Sequence, residues 1–478
     1  MNYYRLLTIL LFFFCAVCSA QKIQYSKSLL KTPGTGNIQL VANVQGFHHL
    51  IYFSYTKKPV IHVFNNQLQL HSSNELNINL PENCDIRLLQ LSDYYILYAH
   101  SEQPTRHQFI KINGDGTSSD ISKLINNPTD SLWNKSKATF QLFNRNNNIY
   151  LVSHSYHPQI KRIKSVVVKL DTEGPAQLTS QLIFPFDIGT DELKQVTLND
   201  DHLLILKNTK DEDETNTLTL LKIDLASGTI ISKEFESGKH VYSSPTLRYS
   251  RTDSSIFVYS MLHSPAGYKR SRPVIFMARL NHLLNEIAPL RTITNPFKDN
   301  AVSSFYVEKN KTTGWLSFSA FQGTGAARMN LYNQRTDMGG PGNSSSNVWN
   351  PDNFYYPSTQ LNYPTAVRMV LLNNRLERVK DSLVKNEGRY YKIHPWTHAQ
   401  FVLQSTSYLL LVHELAAKRK GLVLVYPNKD GQIETLPVRV YNQFHFMLPL
   451  LQTADDNYFI VPFTDKKEIG LMKVTFNN

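Results

Sequence analysis

The sequence predicts an all-β fold, a β-propeller of eight blades, with seven blades or a pair of β-sandwich domains as the alternatives. Three observations predict it. A strand–turn–strand unit keeps returning along the chain, as in "LTLLKIDLASGTIISKEF" from Leu218, "VVVKLDTEGPAQLTSQLIF" from Val166, "HQFIKINGDGTSSDISKLI" from His107 and "LVLVYPNKDGQIETLPVRV" from Leu422. A second apolar strand, often aromatic, precedes each hairpin, with landmarks at Tyr52, Tyr95, Tyr150, Leu203, Ile256, Trp315, Leu409 and Tyr458. Most of these are about 43 to 59 residues apart, close to the period of a propeller blade. Finally, no stretch carries a convincing helical pattern; "HELAAKRK" (413–420) has helical propensity but is short and lies between strand patterns, so it reads as a loop.

One unit parses completely. "ATFQLFN" is an inner strand, "RNNN" a tight polar turn and "IYLVSHSY" the second strand. The longer loop "HPQIKRIKS" leads to "VVVKLD", and "TEG" turns into the outer strand "AQLTSQLIF". Such a four-stranded meander cannot bury both faces alone, so several must stack. The last unit, ending in "GLMKVTFNN", is one strand short, and "KIQYSKSLL" near the start is expected to supply it. Pairing the two ends in one blade would remove an exposed edge. The gap between Trp315 and Leu409 is too long for one unit, which places an insert at about 322–364 within a single domain spanning 21–478.

The first twenty residues read as a secretory signal peptide. Arg5 precedes an apolar run from Leu6 to Val17, and Cys18 and Ala20 stand at the −3 and −1 positions of a cut before Gln21. Val17 is too bulky for the small residue expected before a lipidated cysteine, so a lipoprotein is not expected. No later segment reaches the ~20 apolar residues of a membrane helix. The expected location is the periplasm or the cell exterior. Outside the leader only Cys84 remains, so no internal disulfide can form and packing must hold the fold. Without Arg5 the chain has 49 basic and 38 acidic residues, a net charge of +11, which favours an anionic partner.

The turn "KIDLASGTI" resembles the repeat of the pyrroloquinoline-quinone type of eight-bladed propeller, in which an Asp-x-x-Thr-Gly-like turn links the two outer strands. Asp224 and Gly228 match; Ser227 replaces the threonine, and the tryptophan expected after the turn is missing. Other units keep only an Asp or Asn and a Gly, such as Asp171 and Gly174. The resemblance implies blade geometry; it covers turns only and implies no quinone.

If the ring forms, the loops between second and third strands gather on one face, and loops on a rigid scaffold carry function. Those loops hold 17 basic and ten acidic residues, four of the acids in Asp211–Glu214. They read as a basic rim for an anionic polysaccharide or an envelope protein, with nucleic acid not expected for an exported chain. Expected ligand contacts are Arg272, Arg328, Trp349, Tyr355 and Tyr356, since aromatic faces beside amides suit the apolar faces and hydroxyl edges of sugars. The chain is expected to be monomeric, without cofactor or metal. "HSYHP" and "HPWTH" each bring two His together but with no carboxylate at a ligand's distance.

A binding or scaffolding role leads, because Gly-x-Ser-x-Gly, Walker and His-Glu-x-x-His patterns are all missing. The alternative is a lyase or glycosidase on acidic polysaccharide. Its candidate residues are His154, Tyr156, His157, His263, Tyr268 and Arg270. In that chemistry an Arg neutralises a uronate carboxylate, a His or Tyr removes the α-proton, and a Tyr protonates the leaving oxygen. Cys84 reads as a small core residue, because nothing nearby would activate a thiol.

Overall fold

The computed structural model describes residues 21–478 except 28–29, 32–36, 54–57, 79–84, 103–104, 123–137, 173, 200, 211–215, 237–239, 251–252, 264–273, 295–301, 310–315, 324–363, 386–397, 404–405, 417–418, 429, 439–443, 455–456, 466–467 and 477–478. Its strands form eight sheets, seven of them four-stranded meanders in strict chain order. Numbered along the chain, blades 1 to 7 run over 37–75, 85–120, 138–185, 191–235, 241–294, 302–385 and 398–438. The eighth sheet is built from both ends of the chain. Its second and third strands are Tyr458–Asp465 and Glu468–Phe476, and its first strand is two short pieces, His445–Phe446 and Gln452–Ala454, either side of a 3-10 turn. The outer strand is Gln21–Tyr25 and Leu30–Lys31, paired antiparallel to 468–476 with Gln21 opposite Phe476. The early segment therefore supplies the missing strand, as the unit count predicts.

Hydrophobic seams hold these sheets in a ring. Among the described residues, apolar clusters join blades 1 and 2, 2 and 3, 3 and 4, 4 and 5, 5 and 6, 7 and 8, and 8 and 1. A middle strand shows why the sequence reads as it does. Leu203, Leu204, Ile205 and Leu206 are all fully buried. Leu203 and Ile205 pack into the blade 3–4 seam, and Leu204 and Leu206 into the blade 4–5 seam. A strand covered on both faces wants a continuous apolar run. The outer strand Gln177–Pro185 is half uncovered, and buried residues there alternate with exposed ones from Ser180 onward. With each CH₂ buried contributing about 0.8 kcal/mol, these seams are the main source of stability among the described residues.

Five of the hairpins between third and fourth strands share one construction. An Asn or Asp caps the turn with its side-chain oxygen: Asn65 accepts from the amides of Gln67 and Gln69, Asn281 from Leu283 and Asn285, Asn373 from Arg375 and Glu377, and Asn428 from Asp430 and Gln432. Asp224 does the same for Ala226 and Ser227, which places the "KIDLASGTI" turn between the outer two strands. Each of these turns, and that of blade 2, has a left-handed residue. Gly116, Gly228 and Gly431 supply it at φ 86°, 70° and 73°. Three other turns use leucine instead: Leu68, Leu284 and Leu376 at φ 54°, 61° and 59°.

Two expectations are corrected. Residues 413–416 and 419–420 are strand and not loop: Thr406–Ala416 and Arg419–Pro427 pair closely, with Glu414 opposite Lys420. Sheet pairing overrides the local helical propensity there. The loop after the second strand is also not long in every blade. It is two residues in blades 2, 7 and 8, because the strands run on to the turn. "HPQIKRIKS" is likewise mostly structured: Pro158–Ile160 is one 3-10 turn and Arg162 already begins the next strand.

Candidate functional site

In a ring of meanders, the turns after the first and third strands lie on one face. The connections after the second strand and between blades lie on the other. On the first face every connection is between two and six residues long. All connections longer than six residues join strand ends on the second face: 76–84, 121–137, 264–273, 295–301, 324–363 and 386–397. These six segments contain 11 Lys and Arg against six Asp and Glu, together with Trp133, Trp349 and Trp396, three of the four tryptophans. The long connections thus all start and finish at strand ends of one face, and those between blades contribute nearly as much of their length as those inside blades.

Blade 3 carries three of the expected site residues. His154, Tyr156 and His157 sit in the second strand, Asn148–His157, and not on a loop. Their parity separates them. His154 and Tyr156 project toward blade 4, where Tyr156 packs against that seam's core, and His157 projects from the opposite side of the sheet. His154 is 3% exposed, with Nδ1 2.6 Å from the Ser165 hydroxyl, and burial lowers its pKa to about 4. It is a neutral core histidine. Its Nε2 is buried without a partner among the described residues. His157 Nε2 lies 3.5 Å from the Ser155 hydroxyl.

At the rim of the same seam, Tyr156 accepts a hydrogen bond from the Ile188 amide at 3.4 Å. Lys161, left-handed at φ 49°, pairs with Asp187 at 2.5 Å, and its carbonyl accepts from Phe186. Hydrogen bonding to Lys161 holds the Asp187 carboxyl below its ordinary value. Below this lies Asp191, nearly buried, which accepts from Lys207 at 2.8 Å, Thr209 at 2.6 Å and the Asp187 amide at 3.0 Å. This fixes the blade 3–4 rim, leaving Ile160 and Ile188 exposed at 58% and 67%. No pattern in the sequence marks these two side chains, because each is a lone apolar residue in a polar turn.

A second arrangement escaped sequence reading. His100 and His107 are direct cross-strand partners and stack at 4.8 Å between centroids, with Phe140 of blade 3 edge-on to His107 at 4.6 Å. The Tyr98 hydroxyl is 2.9 Å from His107 Nδ1, and burial, with the His100 charge, pulls the His107 pKa down to about 3. The separation of His100 and His107 along the chain hides their pairing; only the strand register reveals it. On the same face a shallow cleft between blades 8 and 1 is lined by Leu30, Lys31, Ile38, Leu50, Tyr52, His62 and Ile469. His62 Nδ1 lies 2.8 Å from the Ser73 hydroxyl.

His263 ends a strand opposite Val241, but its side chain is outside the described residues. Tyr268, Arg270, Arg272, Arg328, Trp349, Tyr355, Tyr356 and Cys84 also lie outside them. Among the described residues no three His, Cys, Asp or Glu side chains gather to hold a metal ion. Nor is any described helix long and apolar enough to cross a membrane.

No family model matches the sequence, and no curated protein matches it. Solved structures of similar arrangement include the WD40 domain of SCAP from fission yeast, 8% identical, with 96% of this chain and 99% of that one covered at a TM-score of 0.45. The GH93 alpha-L-arabinofuranosidase of Fusarium graminearum is 10% identical over 76% of this chain and 96% of its own, at 0.35. The alpha-L-arabinanase of Penicillium chrysogenum is 9% identical over 70% and 92%, at 0.31. The propeller assignment rests on the strand order and the seams.

Proposed function

We propose that this protein is an exported binding propeller that recognises an anionic glycan, or an acidic surface on an envelope protein, through its loop-rich face. The observation that carries this reading is the gathering of all six long connections at strand ends of one face, with a basic excess and three of the four tryptophans in their sequences. Cations draw an anionic ligand in and aromatic rings stack on sugar faces, so the composition suits a glycan. The leader-like residues 1–20 support export.

The test is retention on immobilised uronate-containing polysaccharide at low and high salt, with absorbance of unsaturated products followed in parallel. The expected result is salt-sensitive retention without turnover, weakened at least about tenfold when Lys269, Arg270 and Arg272 are changed to Ala. Absence of retention at low salt overturns the reading. Turnover that disappears on changing His157 or His263 would make the protein a lyase. His154 is a poor probe of chemistry, because its ring is buried and its substitution acts on the fold.

A further inference from the structure

We propose that a two-part clamp, a cation of one blade and an Asn-x-x-Leu turn of the next, locks three of the ring's seams on the short-turn face. The three left-handed leucines are the starting point. Leu68, Leu284 and Leu376 are at most 3% exposed, and each inserts into the seam with the preceding blade: 8–1, 4–5 and 5–6. A branched residue with positive φ is strained, so something must hold it there. In each case a cation from the third strand of the preceding blade donates to the carbonyl of the residue after the capping Asn. Lys473 reaches Asn66 O at 3.3 Å, Lys222 reaches His282 O at 2.6 Å and Arg279 reaches Asn374 O at 2.6 Å.

The correspondence extends to the exceptions. In blades 4 and 5 the cation stands two residues before the position that caps the blade's own turn, Lys222 before Asp224 and Arg279 before Asn281; Lys473 stands in blade 8, whose fourth strand comes from residues 21–31 and which has no such turn. Blade 1 has Val63 there, and the turn that follows in blade 2 uses Gly116, packed so close that a Cβ would meet Val63 Cγ2 at 2.6 Å. Blade 7 follows Leu371 of blade 6 and uses Gly431. Lys111 and Lys169 occupy the cation position before blades whose turns carry Gly174 and Gly228, and Lys111 lies over the Tyr94 ring at 4.6 Å. Every leucine turn is thus preceded by a cation, while a cation alone does not require a leucine turn. The charge-assisted hydrogen bond fixes the carbonyl, the fixed carbonyl sets the turn, and the turn drives the leucine into the seam. The clamp lies on the face opposite the long connections and is independent of what those connections bind.

The test combines hydrogen exchange with a double-mutant cycle on the full chain. Lys222→Met should speed exchange of the Leu284 and Asn285 amides at least about tenfold, leaving the unclamped 428–432 turn unchanged. In denaturant, Lys222→Met and Leu284→Gly together should lower the unfolding midpoint by clearly less than the two separate shifts combined, because each alone already opens the clamp. Lys222→Arg should restore most of the protection. If Lys222→Met does not fold, Lys473→Met with Leu68→Gly makes the same measurement at the more exposed 8–1 seam. Unchanged exchange at the target turn, or additive midpoints, overturns the proposal.

Discussion

Acid should unfold this protein earlier than its carboxylates alone would allow, because several of its histidines are buried neutral. Burial lowers His48 and His107 to about 3, and His49 and His154 to about 4, all from 6.5. For such groups the unfolded chain binds more protons than the folded one below pH 6.5. Stability is therefore complete above about pH 7, falls as pH drops through 6.5, and stops falling only near the folded values of 3 to 4. Between pH 7.5 and 5 each histidine takes away about 2 kcal/mol, and four together about 8 kcal/mol, a large share of an ordinary domain's 5–15 kcal/mol. Guanidinium unfolding followed by circular dichroism at pH 7.5, 6.5, 5.8 and 5.0 reads this directly. His154→Gln should lower stability at pH 7.5 yet reduce the loss on going to pH 5 by about 2 kcal/mol, since one titrating site is gone. A total loss below about 2 kcal/mol over that range, or an unchanged slope in His154→Gln, would refute the reasoning.

Tyr95→Phe should cost about 1–3 kcal/mol in the same assay. His49 Nε2 must donate to the Gly114 carbonyl at 2.7 Å, so its Nδ1 depends on the Tyr95 hydroxyl at 3.0 Å as donor. Gly116→Ala should destabilise more than Gly228→Ala, by about 2 kcal/mol or more against about 1, measured as the difference in melting temperature. Both residues have positive φ, but a Cβ at Gly116 meets Val63 Cγ2 at 2.6 Å, whereas nothing lies within 4 Å at Gly228. Deleting 21–31 should expose the edge of strand 468–476 and produce concentration-dependent association on size-exclusion chromatography, reversed by adding a peptide of that sequence. Asp187→Asn should leave the unfolding midpoint nearly unchanged, because its pair with Lys161 is at the solvent surface and screened.

The blades were legible because a middle strand sandwiched between two neighbours must be apolar on both sides, and the run Leu203–Leu206 says so without help. The closing strand was legible from a deficit, one strand too few at the end of the chain. The site was less so. His154, Tyr156 and His157 are close in sequence, which suggested one cluster, but a period-two strand sends His157 to the opposite side from the other two. His100 and His107 are apart in sequence and stack in space, since strand register is fixed by the whole sheet. The expected loop at 413–420 failed for a related reason: its local propensity is helical, and pairing across the sheet outweighs it.

Composition, repeat spacing and turn residues by themselves determined an all-β ring, its closure and the basic character of its long connections. These follow from periodicity and from which residues tolerate a left-handed backbone, properties each short segment carries alone. Tertiary structure decided which face receives the long connections, which histidines are buried neutral, and that a lysine or arginine of one blade grips a leucine turn of the next. Those depend on groups far apart in the chain meeting across a seam, where burial and exact distance set the energy, and no local pattern records such a meeting.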